Sequence, residues 1–555
     1  MLVFGFLRLH ALDIVPYGGL VDEVSIGYNA WSITQTSRDE HGVWFPHTFK
    51  AFGDYKLPGY IYLVAPFTAV FGPTNLAVRL PSALIGIALI PIVFLFLRSL
   101  GFSKFISIFG AGIVATSHWG FILSRFGFES HLGLLFWFLF LMGAVRLKNN
   151  PSILSAVFAG MALAGTWYSY VAYRLSSVVL LSLSALVVVG IFRSSLIQQM
   201  LKPSKLLQMV VLAFCVFVIG ISPILPASLQ SSGTARFSQI GILSEYGPVA
   251  YIDEQRAYCD QEYPRFLCYS IWNKGSVLTQ FVVQRAISFF SPEYLFMYGD
   301  KYLPYLGPQP FGQFSMFLLP ILYLGIGRSI LSSNKRDRTI GALALLITIA
   351  GILPMALAGE PQKIRATPLF PALLLWMSIG VSWILSWKQP LYKYGFIFLI
   401  SCGVLWSTAS FQITWFSAHT QKHDVSYNTQ ARQLFEYLAE QDSKYRFEMD
   451  PGLADAPIYY SFYTKLDPLI HQVTLVLDEL EDSGFQHPIA VDRFTLSKHQ
   501  FTGNGDPCTL FITTRNLELP YHNVKEFRTV NGVHPVYYVW SSLLECTESQ
   551  PPVQE

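Results

Sequence analysis

Long apolar runs without charge alternate with polar stretches along the first 415 residues of the chain. A helix needs about 20 apolar residues to cross the hydrocarbon core of a bilayer, and helices are expected there because each backbone N–H must bond within its own segment. We therefore predict ten membrane-spanning helices, at residues 80–97, 105–123, 130–145, 152–173, 175–192, 206–225, 311–327, 339–358, 368–387 and 394–415.

The opening segment MLVFGFL is also apolar, but Arg8 interrupts it after seven residues. A short cleaved signal peptide is the weaker interpretation, because the segment has no basic start and no small-residue cleavage site. We expect it to be the end of a truncated first span, which raises the predicted total to eleven.

Basic residues in the short loops give an orientation. Alternate loops hold 13 Lys and Arg residues against one acid, Asp337. Because Lys and Arg concentrate in cytoplasmic loops, the loops at 17–79 and 226–310 and the tail at 416–555 are expected to be extracytoplasmic. We expect a multi-pass protein of the plasma membrane whose site lies on the outward side.

Composition narrows the class further. Hydrophobic residues make up 52% of the 555 residues and charged residues only 13%, against about 25% charged residues in a soluble domain. These values exclude a disordered chain, a nucleic-acid module and an ordinary cytosolic enzyme. The net charge of +3 is too small to indicate a polyanionic partner.

The tail differs in pattern from the spans. Helix-like residues 431–441 alternate with strand-like runs such as 509–514 and 536–542, and turn signals such as TGNGDP at 502–507 separate them. We predict a transmembrane domain at 1–415 and an extracytoplasmic α/β domain at 416–555.

Four of the six cysteines lie in outward segments: Cys259, Cys268, Cys508 and Cys546. An oxidising compartment permits disulfides there, and sequence alone leaves the pairing open.

Acidic and basic side chains concentrate in the outward loops rather than within the spans, which favours chemistry at the membrane surface over passage through it. Asp22 and Glu23 directly follow the first span, where a carboxylate could act as a general base towards a hydroxyl. The alternative is an ordinary solvated acidic pair.

Further outward turns hold candidate phosphate ligands. Arg125 and Glu129 lie four residues apart, a spacing that shares one helix face, and an ion pair closing the turn is the alternative. Arg174 and Arg365 could bind a phosphate through bidentate guanidinium geometry, or could contact lipid headgroups instead.

No zinc-ligand spacing occurs, but a divalent metal ion is possible, with Asp39, Glu40 and Asp54 as candidate ligands.

The order of these segments resembles the GT-C membrane glycosyltransferases, in particular the branch of protein O-mannosyltransferases and the lipid A aminoarabinose transferase. The segments that carry the resemblance are DEVSIGYNAWSI (22–33), RDEHG (38–42), FGDYKLPGYIYL (52–63), LAVRLPSAL (76–84), SRFGFE (124–129), YSYVAYR (168–174), ARFSQI (235–240), SPEYLFMYGD (291–300) and PQKIRATPLFP (361–371). The family often has KPP where this chain has Lys56-Leu57-Pro58, and often His where it has Gln362.

The resemblance implies a role for each matching position. Asp22 matches the catalytic aspartate of the first loop, Glu23 the acid beside it, and Glu129 the second acidic position. Lys56 matches a lysine that contacts the donor phosphate, and three arginines match further phosphate ligands: Arg125, Arg174 and Arg365.

These roles imply an inverting transfer of mannose or another hexose or pentose from a polyprenyl-phosphate donor. The acceptor is left open between a protein and a glycolipid or cell-surface polysaccharide. A transporter or flippase of lipid-linked sugars is the alternative from another class, and a catalytically inactive scaffold is a third.

Overall fold

The computed structural model describes residues 2–51, 54–192, 205–226, 246–359, 361–453, 455–480, 486–497, 507–516, 522–530, 532, 535–542 and 546. Within the chain, contacts define two compact units. The first unit contains residues 1–8 and 82–414, and the second contains residues 9–81 and 415–555. The second unit therefore joins the first outward loop to the tail, although more than three hundred residues separate them in sequence.

The first unit is helical in the ranges described. Its helices are α1 (Leu2–Leu9), the part of α4 (Asn75–Ser99) from residue 82 onwards, α5 (Lys104–Thr116), α6 (His118–Arg125), α7 (Glu129–Asn149), α8 (Ile153–Ser169), α9 (Val171–Phe192), α10 (Lys205–Ile221), α11 (Tyr246–Glu262), α12 (Arg265–Ile271), α13 (Lys274–Ser288), α14 (Leu319–Leu331), α15 (Lys335–Ala358), α16 (Phe370–Leu385) and α17 (Pro390–Thr414). Short π or 3-10 turns lie at Glu293–Met297, Pro304–Leu306, Met316–Leu318 and Thr367–Leu369.

Five helices among the described residues are long and apolar enough to span a membrane, and a sixth span is possible if α5 and α6 are counted as one. The shorter apolar helices lie at Pro58–Phe71, Ile153–Ser169, Val171–Leu186, Lys205–Ile221 and Met316–Leu331. The chain is thus a helical protein with several apolar helices, whereas the count of eleven spans stays a prediction.

The expected span at 105–123 is broken. Helices α5 and α6 meet at Ser117 with a bend of 52°, and the Ser117 hydroxyl caps α6 by accepting from the Gly120 N–H. The buried Arg8 guanidinium donates to the Val114 and Ala115 carbonyls at 3.1 and 3.3 Å. Carbonyls at the end of α5 are thereby satisfied where the helical ladder stops.

Helices also occupy the outward loop expected at 226–310. Residues 246–288 form α11, α12 and α13, and a disulfide between Cys259 and Cys268 joins the first two. The segment ARFSQI (235–240) lies outside the described residues.

The second unit contains helices and strands. Its helices are α2 (Val21–Thr36), α3 (Pro58–Phe71), the first residues of α4, α18 (Thr429–Ala439), α19 (Ala456–Tyr463) and α20 (Pro468–Thr474), with turns at Trp415–His419 and Thr420–Lys422. Its strands are β1 (Phe49–Ala51), β2 (Asp54–Lys56), β3 (Arg446–Met449), β4 (Val476–Leu477), β5 (Pro488–Val491), β6 (Phe494–Leu496), β7 (Thr509–Thr513), β8 (His522–Arg528) and β9 (Pro535–Ser541).

The tail contains a seven-stranded sheet in the order β4-β5-β6-β3-β7-β9-β8. Strand β3 pairs in parallel with β6 and with β7, and the remaining pairs are antiparallel. A disulfide joins Cys508, which precedes β7, to Cys546, which follows β9. Phe435 of α18 packs against Phe494 of β6 with ring centroids 5.6 Å apart, so helix and sheet share an apolar core.

Helix α2 packs closely against the tail within the second unit. A Cβ atom at Gly27 would lie 2.4 Å from Phe462 of α19 and 2.6 Å from Val78, so only glycine permits this approach. The Tyr28 hydroxyl donates to the Leu466 carbonyl at 2.9 Å. The first outward loop therefore forms its structure together with residues 415–555, and the division into domains at 415/416 stays a prediction.

Candidate active site

Asp22 and Lys56 form an ion pair in the second unit. Asp22 lies in the first turn of α2, and Lys56 ends β2 of a short hairpin in which Lys56 faces Phe49. The Asp22 side chain is 57% exposed, whereas that of Lys56 is 9% exposed. A largely buried ammonium therefore contacts one oxygen of a carboxylate that is more than half exposed.

Glu23, the next residue, has a different environment. Both of its oxygens accept from Arg79, from Nε at 2.9 Å and from a terminal nitrogen at 3.0 Å, and both side chains are fully buried. Arg79 also donates to the carbonyls of Leu12, Pro16 and Gly18. The pair fixes the segment before α2, and with it the position of Asp22.

Arg79 was not assigned a role from the sequence. A single arginine at the start of an apolar run is a usable signal, because a buried guanidinium needs a partner. The sequence does not reveal the partner of Arg79, which is Glu23, 56 residues earlier in the chain.

The tail contributes a second carboxylate near Asp22. Asp455, at the start of α19, binds Nδ1 of His487 at 2.6 Å. Burial raises the pKa of Asp455, the His487 hydrogen bond opposes that shift, and the negative charge of the nearby Asp22 adds to it. Asp455 and His487 were missed at the sequence level, since nothing in their spacing relates them to residue 22.

Asp39 and Glu40 lie in the turn after α2 and are both buried. The Asp39 carboxylate accepts from the backbone N–H groups of His41 and Val43, at 2.9 and 2.8 Å. Glu40 accepts from the Asn29 amide at 2.9 Å. Burial raises the pKa of Glu40 to about 8, so this side chain is mostly neutral at pH 7.

Two of the metal candidates, Asp39 and Glu40, are engaged in other hydrogen bonds. Among the described residues no three His, Cys, Asp or Glu side chains lie close enough together to hold a metal ion. Asp39 accepts from backbone N–H groups and burial favours the neutral form of Glu40, and the side chain of Asp54 lies outside the described part of the structure. A divalent ion held by Asp39, Glu40 and Asp54 therefore stays a prediction.

The first unit contains the remaining predicted residues. Arg125 is the last residue of α6 and is fully buried, and one of its terminal nitrogens donates to the Arg8 carbonyl at 3.2 Å. Glu129 is the first residue of α7. Residues 126–128 between the two helices are not helical, so the expectation that Arg125 and Glu129 share one helix face is wrong. The cause is the turn itself, because it interrupts the period of 3.6 residues.

Two further arginines are half-buried. Arg174, in the first turn of α9, donates to the Trp167 carbonyl at 2.8 Å and lies over the Trp167 ring. Arg365 donates to the Ala358 carbonyl at 3.2 Å, across the turn that follows α15. Each is thereby oriented by a backbone carbonyl.

Lys363, in the same turn as Arg365, is a structural residue. Its ammonium donates to the Leu306 carbonyl at 2.7 Å, and its backbone N–H donates to the Asp300 carboxylate at 3.1 Å. Burial lowers the pKa of Lys363 to about 8, although the charge of Asp300 opposes this shift. These contacts join two segments of the first unit, 300–306 and 361–371, that lie far apart in sequence.

The second unit therefore contains a base and a cation suited to group transfer. An exposed carboxylate can accept a proton from a hydroxyl, and a neighbouring ammonium can stabilise a phosphate that leaves. The first unit holds further arginines and an acid at helix ends.

Comparisons with known proteins identify the fold. The structure of ArnT from Cupriavidus metallidurans bound to undecaprenyl phosphate aligns with a TM-score of 0.51 at 13% identity, over 99% of both chains. Its apo form aligns with a TM-score of 0.50 at 13% identity, over 97% of this chain and 96% of that one. The oligosaccharyltransferase of Archaeoglobus fulgidus, tethered to an acceptor peptide, gives a TM-score of 0.44 at 14% identity, over 83% of this chain and 62% of that one.

No family model and no curated protein sequence matches the chain. The alignment with ArnT over nearly the whole length of both chains confirms the predicted GT-C fold.

Proposed function

We propose that the chain is an integral-membrane glycosyltransferase that moves a sugar from a polyprenyl-phosphate donor to an acceptor hydroxyl. The observation that carries the proposal is the exposed Asp22 carboxylate held by the buried Lys56 ammonium, in a chain with the fold of ArnT. Undecaprenyl phosphate, the molecule bound in that ArnT structure, belongs to the class of lipid that remains when such a donor loses its sugar.

Asp22 is the general base in this proposal. It accepts the proton of the acceptor hydroxyl as the hydroxyl oxygen bonds to the anomeric carbon. The bond from that carbon to the phosphate oxygen breaks on the opposite face, which inverts the configuration, and polyprenyl phosphate leaves. A phosphate leaving group needs cations more than an acid, and Lys56 supplies one beside the base.

Glu23 acts as a positioning residue, because its carboxylate is committed to Arg79. Glu129 is the proposed second acid. We propose further phosphate contacts for the arginines of the first unit: Arg125, Arg174 and Arg365. Arg365, held by a single carbonyl contact across its turn, is the most adaptable of these.

The finer points are also proposals. The sugar is mannose or another hexose or pentose, and the acceptor is a protein, with a glycolipid or a cell-surface polysaccharide as the alternative. We propose eleven spans, a plasma-membrane location with the site outside the cell, and an extracytoplasmic domain at 416–555 next to a membrane domain at 1–415.

A transporter or flippase of lipid-linked sugars is the candidate from another class. Against this alternative, the charged residues assigned to transfer lie at the ends of helices and strands or in turns rather than in the middle of apolar helices. Examples are Asp22, Lys56, Glu129 and Arg365. Asp22→Asn separates the two functions, because it should stop sugar transfer if the chain is a transferase and impair only lipid translocation if the chain is a flippase.

The test is transfer from radiolabelled polyprenyl-phosphate sugars by the purified protein, with label followed into protein, lipid and polysaccharide fractions. Asp22→Asn should lower transfer by a factor of about 10²–10⁴, the contribution of a well-placed general base. Asp442→Asn, an exposed acid of the same unit, should transfer at the wild-type rate. Full activity of Asp22→Asn would remove Asp22 from its role, and no transfer to any fraction despite donor binding would favour the transporter.

A further inference from the structure

A groove of about 900 Å³ lies in the first unit, and its lining contains none of the residues assigned to transfer. It is formed by the end of α4, the last turns of α7 and the first turns of α15, three of the helices that are long and apolar enough to span a membrane. Its size is at the upper end of the range for ligand pockets, which runs from about 300 to 1,000 Å³.

One end of the groove is lined by aliphatic side chains, and the other end is lined by basic side chains. Leu141, Val145 and Lys148 follow one another at helical spacing on α7, so they share one face of that helix. Ile340, Leu343 and Leu346 do the same on α15. Leu141 and Val145 therefore lie deeper in the apolar part of their helix than Lys148, which is in the last turn.

Three cations lie at the loop end of the groove: Lys148, Lys335 and Arg336. None of the described lining residues is acidic. The acid of these loops, Asp337, is bound to Arg328 at 3.1 Å instead. The positive charge at this end of the groove is thus not neutralised from within its described lining.

The Arg336 side chain, which lines the groove, contacts two neighbours. One terminal nitrogen approaches the Leu100 carbonyl at 3.5 Å, and the guanidinium lies 4.8 Å from the centre of the Phe102 ring. Asn149, another lining residue, donates to the Ser99 carbonyl at 3.3 Å. Polar donors and cations therefore surround one end, and aliphatic side chains surround the rest.

We infer that this groove binds one anionic phospholipid, with its phosphate between Lys148, Lys335 and Arg336 and an acyl chain along Leu141, Val145, Leu343 and Leu346. A basic pocket between transmembrane helices, at the face that carries the basic loops, matches the phosphate of a lipid headgroup in charge. Arg binds phosphate with bidentate geometry, and the apolar walls give the chain a surface that a soluble anion would not use. The site is separate from sugar transfer and does not depend on it.

The test uses the full-length protein, purified and delipidated in a neutral detergent. Three probes are compared: phosphatidylglycerol, phosphatidylcholine and inorganic phosphate. Binding is followed by native mass spectrometry and by the thermal unfolding temperature. We expect phosphatidylglycerol to bind and to raise that temperature, with phosphatidylcholine and free phosphate having little effect.

Lys148→Gln/Lys335→Gln/Arg336→Gln should weaken phosphatidylglycerol binding about 100-fold, because each basic side chain near an anionic headgroup contributes roughly a factor of five. The matched control removes three cations of the same set of loops outside the groove lining, Arg338→Gln/Lys388→Gln/Lys393→Gln, and should bind as the wild type does. Leu343→Trp fills the apolar part without changing charge and should also abolish binding, which keeps the proposal testable if the triple variant folds poorly.

Equal phosphatidylglycerol binding by the groove and control variants would overturn the site. Equal binding of phosphatidylcholine would overturn the anionic preference, and saturation by inorganic phosphate alone would indicate a site for a free anion rather than for a lipid. Sugar transfer in the Asp22 assay is a separate readout, so failure of either proposal is distinguishable from failure of the other.

Discussion

Asp22 and Glu23 are neighbours in the chain, yet their carboxylates have opposite surroundings. The first is 57% exposed beside Lys56, and the second is buried against Arg79. Successive residues of a helix point about 100° apart, so one can face outwards while the next anchors the helix. The buried pair makes the position of the exposed carboxylate reproducible.

Lys56 can be tested against a lysine in the same hairpin. Lys56→Gln should lower transfer about 100-fold and raise the donor KM, because it removes a preorganised cation from the leaving phosphate. Lys50→Gln is the control, since Lys50 binds Gln486 at 2.7 Å and has no assigned part in transfer. Steady-state kinetics over a range of donor concentrations measure both variants, and equal losses in the two would contradict the role of Lys56.

Glu40 gives a pH prediction. Burial raises its pKa to about 8 in the folded protein from an ordinary value of 4.5. The folded state therefore holds a proton that the unfolded state loses, so this group lowers stability as the pH rises from about 4.5 to about 8. In Glu40→Gln the amide oxygen can still accept from Asn29, and no charge can form.

We therefore expect Glu40→Gln to unfold at a higher temperature than the wild type at pH 8 and at nearly the same temperature at pH 4. Thermal unfolding in detergent across this range is the measurement. A difference that does not grow with pH would show that Glu40 is ionised in the folded protein.

Sequence reasoning proposed Asp22, Glu23 and Lys56 because motifs in one loop carry them. It did not find Asp455 and His487, whose relation to Asp22 depends on α19 packing beside α2. Long-range contacts leave no periodic signal, so the tail residues of the site needed the structure. The predicted roles of the arginines and Glu129 stay predictions.

At the scale of elements, apolar length predicted where helices lie better than where they break. Residues 339–358 and 368–387 fall close to α15 and α16, whereas 105–123 is divided at Ser117 and 152–173 at Tyr170. Hydropathy sums over a window and does not register one capping hydroxyl. Helix α3 was missed for a different reason, because the whole loop at 17–79 was treated as polar.

The close contact between α2 and α19 leads to a testable prediction about stability. Gly27→Ala should lower the free energy of unfolding by about 1–3 kcal/mol, because its Cβ would lie 2.4 Å from Phe462 in a packed core. Gly112→Ala is the control, since a Cβ there meets nothing within 4 Å and alanine favours a helix. Denaturant or thermal unfolding compares the two, and a stabilised Gly27→Ala would contradict the close packing.

At the scale of the molecule, the first outward loop and the tail form one compact unit. The predicted boundary at 415/416 follows the change in composition, but composition does not report which distant segments pack together. Tyr28, Gly27 and Gln472 carry contacts between the two parts, and each is unremarkable in sequence.

This joint unit predicts the effect of removing the tail. A chain ending at residue 414 should lose transfer, although Asp22, Glu23 and Lys56 remain, because the buried face of α2 loses its partners. Protease cleavage within residues 9–81 should also become faster. A chain that lacks only residues 547–555 is the control and should behave as the full-length protein does, whereas retained transfer by the shorter chain would contradict the shared unit.

The same arrangement sets an order of events during biosynthesis. Ribosomes add about 5–20 residues per second, so the tail is complete roughly 25–95 s after residue 81, following the whole of residues 82–414. The Glu23–Arg79 pair lies within residues 9–81 and can form at once, whereas α2 must wait for α19. The helices of residues 82–414 are therefore made before the unit that holds Asp22 can be completed, and only a full-length polypeptide assembles that unit.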